Sequence, residues 1–266
     1  MKRIPFFFLS VFLILPISFS LAQAPQQPPQ QSQRPPDGGT REVLISILIP
    51  SIPNAPFTAI VNTEWIRQLP DGSAITLKNH RAIARDAAGR IFQERRALVP
   101  DDGKSKSGVT QIEISDPVSH ELYICIPYER TCQLEEFSSQ ESARYGAPGK
   151  IHMVQGASSE SEDLGKQSIG GLETAGTREI TVIPANTIGN NSPLISKREF
   201  WYSSQLGVNL ISKLQHPLSG TQNFEVSDIT LGQPDAKLFE VPSGFKILDL
   251  RKPLEISSPQ PSTSPN

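Results

Sequence analysis

From residue 57 the chain interleaves β-branched and apolar residues with charged ones in short runs. FTAIVNTEWIRQL (57–69), SAITLKNHRAIARD (73–86) and RIFQERRAL (90–98) are separated by PDG and AAG. Such runs between turn-forming residues predict three strands of an antiparallel meander. GVTQIEISD (108–116), ELYICI (121–126) and TCQLEEF (131–137) continue it through short turns. The pattern lapses in SSQESARYGAPGKIHMVQGASSESEDLG (138–165), where Ser, Gly and acids replace apolar runs, so a flexible loop or linker is predicted there. It resumes with LETAGTREITVIP and with KREFWYSSQLGVNLISKLQHPLSGTQNFEVSDI, in which SSQLG and HPLSG read as turns. PDAKLF (234–239), opened by proline and an acid, suits a single helical turn.

So many strands with so little helix predict a mainly β protein. The antiparallel meander must curve, as a half-barrel or sandwich-like sheet, to bury one face. Parallel sheets would need crossover helices, and no segment supplies them.

The ends of the chain differ from the middle. MKRIPFFFLSVFLILPISFSLAQA has a basic start, an apolar run from Ile4 to about Leu15, and Ala22 and Ala24 in A-x-A spacing. It predicts a signal peptide over 1–24, cleaved after Ala24, with retention as an anchor the alternative. A periplasmic or secreted location follows, with no transmembrane span once the signal is gone. Proline-rich PQQPPQQSQRPPDGG predicts a disordered linker over 25–40, and RKPLEISSPQPSTSPN a disordered tail over 251–266. The folded part divides into an N-terminal meander (41–137) and a C-terminal one (166–250), as separate units or one continuous fold.

Cys125 and Cys132 are the only cysteines, on two predicted strands with PYER as the turn. An exported chain with two such cysteines directly opposite each other predicts a disulfide, with two free thiols as the alternative. C-x-x-C is absent and no histidine is near, which disfavours redox or zinc chemistry.

Charge excludes a further class. Without Lys2 and Arg3 the 25 basic residues become 23 against 27 acidic ones, a formal charge of −4 and no footprint for nucleic acid. Arg81, Arg85, Arg90, Arg95 and Arg96 form a dense basic series. A solvated sheet face pairing with Asp86 and Glu94 is expected of it, ahead of a patch for anionic headgroups or polysaccharide. Arg95 and Arg96, adjacent on a strand, point to opposite faces. Trp65, Trp201 and Tyr202 are candidates to line a ligand groove, with core or edge packing as the default.

Catalytic patterns fail one by one. SGFK (243–246) matches S-x-x-K, but Pro242 and Gly244 oppose the helix that chemistry needs. HELYI puts Ile124 where the second histidine of a zinc motif belongs. His80, His120, His152 and His216 have no ligand spacing. No catalytic residue, metal or cofactor is expected.

Residues 166–247, with their W-Y-S, H-P-x-S-G, G-x-P-D-x-x-L-F and V-P-x-G-F elements, resemble the C-terminal part of a group of uncharacterised secreted acidobacterial proteins. APFTAIVNTEWIRQLPDGSAITLKNHRAIARDAAGRIFQERR resembles the N-terminal half of the same group. The C-terminal elements also resemble, more distantly, the periplasmic lipoprotein-carrier superfamily of LolA, LolB and the RseB N-terminal domain. That resemblance implies a concave sheet holding a lipid, a lipoprotein acyl chain or an envelope protein segment. It transfers no functional residue. A non-enzymatic binding protein is therefore expected, with a structural or sensory interaction module and a hydrolase of unrecognised site as successive alternatives.

Overall fold

A computed structural model describes residues 47–137 and 156–251. The signal, the 25–40 linker, residues 138–155 of the predicted loop and the tail from 252 lie outside the described residues. The strands are β1 (Phe57–Gln68), β2 (Ala74–Arg85), β3 (Ile91–Arg96), β4 (Val99–Pro100), β5 (Val109–Asp116), β6 (Glu121–Ile126) and β7 (Thr131–Glu136). After them come β8 (Ser158–Ile169), β9 (Leu172–Ile183), β10 (Leu194–Ser203), β11 (Val208–His216), β12 (Gly220–Leu231) and β13 (Lys246–Asp249). PDAKLF forms a 3₁₀ turn at Ala236–Phe239, capped by the Asp235 carboxylate, which accepts from Lys237 N.

All strands of the described residues belong to one curved sheet of 13 strands that does not close on itself, in the order β13-β7-β6-β5-β3-β2-β1-β12-β11-β10-β9-β8 with β4 on β2. The two meanders meet at its centre, where β1 pairs antiparallel with β12 and brings Val61 opposite Val226 and Thr63 opposite Phe224. β13 alone runs parallel to its neighbour, extending the far edge beside β7.

Two boundaries differ from the sequence reading. Strand β8 begins at Ser158, inside the stretch expected to be a loop; it is an edge strand exposed on both faces, so burial imposes no apolar alternation on it. At the other end, residues 47–56 precede β1 without forming a strand, although Ile47 and Ile49 are buried.

The burial pattern shows which face is concave. Phe57 and Val61 of β1, Ile83 of β2, Ile91 of β3, Leu172 of β9, Leu210 of β11 and Phe224 of β12 share one apolar cluster with Ile47 and Ile49. Strands β3 and β9 stand far apart in the sheet, so only a sheet curled toward this side brings them to one core. The opposite face carries a smaller cluster of Ala84, Phe92, Ile114 and Phe239, where the 3₁₀ turn lies against β2, β3 and β5.

Cys125 and Cys132 are register partners on β6 and β7, joined by a disulfide with S–S 2.03 Å. Both are fully buried. Replacing both by serine is expected to cost about 2.5 kcal/mol, since so short a loop restricts the unfolded chain only modestly; urea unfolding against the oxidised protein checks this.

The β11–β12 turn packs flat against β1. Gly220 has φ +81°, and a Cβ there would run onto the Ile66 carbonyl, so glycine is required on both counts. His216 closes the turn, its Nδ1 accepting from Leu218 N at 3.2 Å and Ser219 N at 3.3 Å. Burial, and after it the charge of Arg198, hold the imidazole below its ordinary pKa of 6.5. Its contribution is therefore complete above 6.5 and shrinks as pH falls from there through the lower folded value, because the unfolded chain takes up the proton first. His216→Asn keeps an acceptor in the turn, and it is expected to flatten the change in urea midpoint between about pH 5 and about pH 7.

Candidate functional site

The concave face is a trough, and its two ends differ. At the end where β1 begins, it is filled by the chain's own residues 47–55. Lacking strand partners, this segment needs donors for its carbonyls. Two buried arginines of β2 provide them. Arg85 donates from Nη1 to Pro50 O (2.9 Å), from Nε to Ala55 O (3.0 Å) and from Nη2 to Leu206 O (2.7 Å). Its guanidinium lies 5.0 Å from the centre of the Phe57 ring. Arg81 donates from Nη2 to Ile47 O at 3.0 Å and from Nη1 to Gln93 Oε1 at 3.1 Å. Burial is the leading cause that pushes Arg81 down to about 9 and Arg85 to about 10, which leaves both charged at neutral pH.

These two residues correct the expectation of a solvated basic face. Arg81 is 3% exposed and Arg85 0%. Alternation along β2 puts them on the same side as Ile83, between the sheet and the segment that covers it. The rest of the series pairs with acids. Arg90 Nε meets the buried Asp86 carboxylate at 2.7 Å, and Arg96 Nε meets Glu94 at 2.7 Å. Arg95 faces the other way from Arg96 and grips Glu113 through Nε (2.8 Å) and Nη2 (3.0 Å).

Toward the other end the trough is only half covered. By register Trp65 is level with Leu77 on one side and with Gln222 and then Leu214 on the other, while Phe200 is level with Ser212 and Phe224. Trp65, Leu77, Leu214 and Phe200 are half-buried. One flank is polar: Gln93 and Gln111 both donate to Glu113, which joins them to Arg81 and Arg95. Gln222, 2% exposed in the floor, has a side-chain oxygen with no hydrogen-bond partner among the described residues. The open half is thus an apolar strip with buried hydrogen-bonding groups along it.

Of the aromatic candidates, only Trp65 belongs to this strip. Its Nε1 donates to Ser219 O at 2.6 Å, and the Arg67 guanidinium stacks 5.2 Å from its ring centre. Trp201 is level with Ile211 and Glu225, one step out of phase with Phe224, and so lies on the opposite face. It rests over Gly176, where a Cβ would collide with its ring, and donates to Glu199 at 3.0 Å. Tyr202 follows the bulge beside Trp201 and is 45% exposed. The three do not converge. The arginine clamp was missed in the sequence, although Arg81-x-Ile83-x-Arg85 on one strand face was the available signal.

Among the described residues, no group of acidic, histidine or cysteine side chains could hold a metal ion, and no helix is long and apolar enough to cross a membrane. No family model matches the chain, and no curated protein sequence does. Solved structures with a similar course of the chain include an uncharacterised conserved protein from Thermus thermophilus, at 7% identity over 74% of this chain and 91% of that one, TM-score 0.36. The Pseudomonas aeruginosa MucA/MucB complex is similar at 12% identity over 73% of this chain and 58% of that one, TM-score 0.38. A LolA superfamily protein from Nitrosomonas europaea is similar at 11% identity over 72% of this chain and 92% of that one, TM-score 0.30.

Proposed function

We propose that the chain is a non-enzymatic exported envelope protein whose trough holds an extended protein segment. The observation behind this reading is the chain's own residues 47–55, seated in the trough with isoleucines in the apolar cluster and main-chain carbonyls on Arg81 and Arg85. Guanidinium donors that bind carbonyls recognise backbone whatever its side chains. A lipid acyl chain, the other expected occupant, offers the buried Gln222 oxygen no donor, whereas a main-chain N–H of an incoming segment does.

An incoming segment binds along the half-covered strip of Trp65, Leu77, Leu214 and Phe200, or displaces residues 47–55. A photoreactive amino acid in place of Leu214, activated in cells, tests this. The expected product is a discrete protein adduct, mapped by mass spectrometry to an extended stretch of the partner. Adducts to lipid alone would restore the acyl-chain reading, and the absence of any adduct would leave the trough a purely structural feature.

A further inference from the structure

The turns at one end of the sheet share a character that the trough does not explain. Residues 69–73, 184–193 and 217–219 connect β1 to β2, β9 to β10 and β11 to β12, and the pairing of β1 with β12 sets these turns at the same end. Large apolar side chains stand exposed on or beside all three: Leu69 (37%), Ile75 (44%), Ile188 (49%), Ile195 (52%) and Leu218 (67%). Beside Ile195 and Leu218, which help to line it, opens a cleft of about 590 Å³ whose other walls include Arg67, Lys197, His216 and Pro217. Among the described residues, no carboxylate lines it. Arg67 is held in place by its stack on Trp65.

A chain of net negative charge has here gathered cations beside unpaired apolar tips. We propose that this end docks on an anionic bilayer surface, with a lipid phosphate in the cleft and Leu218, Ile195 and their neighbours in the interfacial layer. Basic residues against anionic headgroups, with apolar side chains just beneath them, is the arrangement such a surface selects. Each cation adds roughly five-fold to partitioning, and scattered apolar tips add the remainder. This docking is independent of what the trough holds.

The test is co-sedimentation of the full chain with vesicles of phosphatidylglycerol and phosphatidylcholine, and with phosphatidylcholine alone. Arg67→Glu/Lys197→Glu is compared with Lys166→Glu/Lys237→Glu, which changes the net charge equally but lies away from the cleft. The expected result is that only the first pair lowers partitioning to anionic vesicles, by roughly ten-fold or more, and that Leu218→Ser/Ile195→Ser lowers it without altering the charge. Unchanged urea midpoints show that the variants remain folded. Equal losses from the two charge pairs would reduce the effect to general electrostatics and overturn the proposal. So would wild-type partitioning by the serine pair, no preference for anionic vesicles, or binding of inorganic phosphate without binding of vesicles.

Discussion

Arg85→Met is expected to lower the unfolding free energy by about 3–5 kcal/mol, because three carbonyls, those of Pro50, Ala55 and Leu206, lose their fully buried donor together. Methionine restores much of the volume but none of the hydrogen bonds. The midpoint of thermal unfolding should fall by roughly 10 °C, given about 2–4 °C per kcal/mol for a chain of this size. Arg85→Lys should recover little, since one ammonium on a flexible stem cannot span carbonyls that the planar fork reaches from three nitrogens. Urea unfolding at neutral pH measures both. A loss below about 1 kcal/mol would mean that water reaches those carbonyls once the guanidinium is gone, and that the clamp is not what seats the segment.

Ile49→Asp should act on the same segment from the apolar side. Ile49 is 3% exposed within the inner cluster, and a carboxylate there cannot stay ionised without a partner. The direct cost, about 4 kcal/mol or more, is avoided if residues 47–55 leave the trough while the sheet stays folded. The expected result is fast hydrogen exchange confined to 47–55 and the β2 amides beneath it, with β1 and β12 still protected, and increased binding of an apolar dye. Exchange rising throughout the sheet would show that segment and sheet form one cooperative unit. If the trough takes a partner segment, the same substitution should also raise crosslinking from position 214.

Most of the strands could be read directly from the chain. In β1, β2, β5, β6 and β11, β-branched and apolar residues recur between Gly- or Pro-marked turns because each strand has at least one covered face. The cysteine pair was legible for the same reason, since two strands leaving a tight turn fix which residues face each other. What was hidden depends on partners remote in the sequence. The β1–β12 pairing, which makes one sheet of two meanders, leaves no local mark. Strand β8 reads as loop because neither of its faces is buried, and β13 is too short to show a period. Residues 47–56 read as the start of a meander because their isoleucines are apolar, yet they are covered by side chains instead of a strand ladder. The trough was equally obscure. A strand that places arginine, isoleucine and arginine on one face suggests solvent until something is known to lie on top of it.

The position of β1 has a consequence for how the chain is made. Emerging among the first strands, it must wait for a neighbour whose residues come more than 150 positions later, as the contact from Asn62 to Ser227 illustrates. A polypeptide synthesised from its N-terminus therefore emerges with its most central ribbon bare along one side. Any product that stops short of residue 220 would keep that side open, so truncated forms should aggregate or meet a protease long before they resemble the finished molecule.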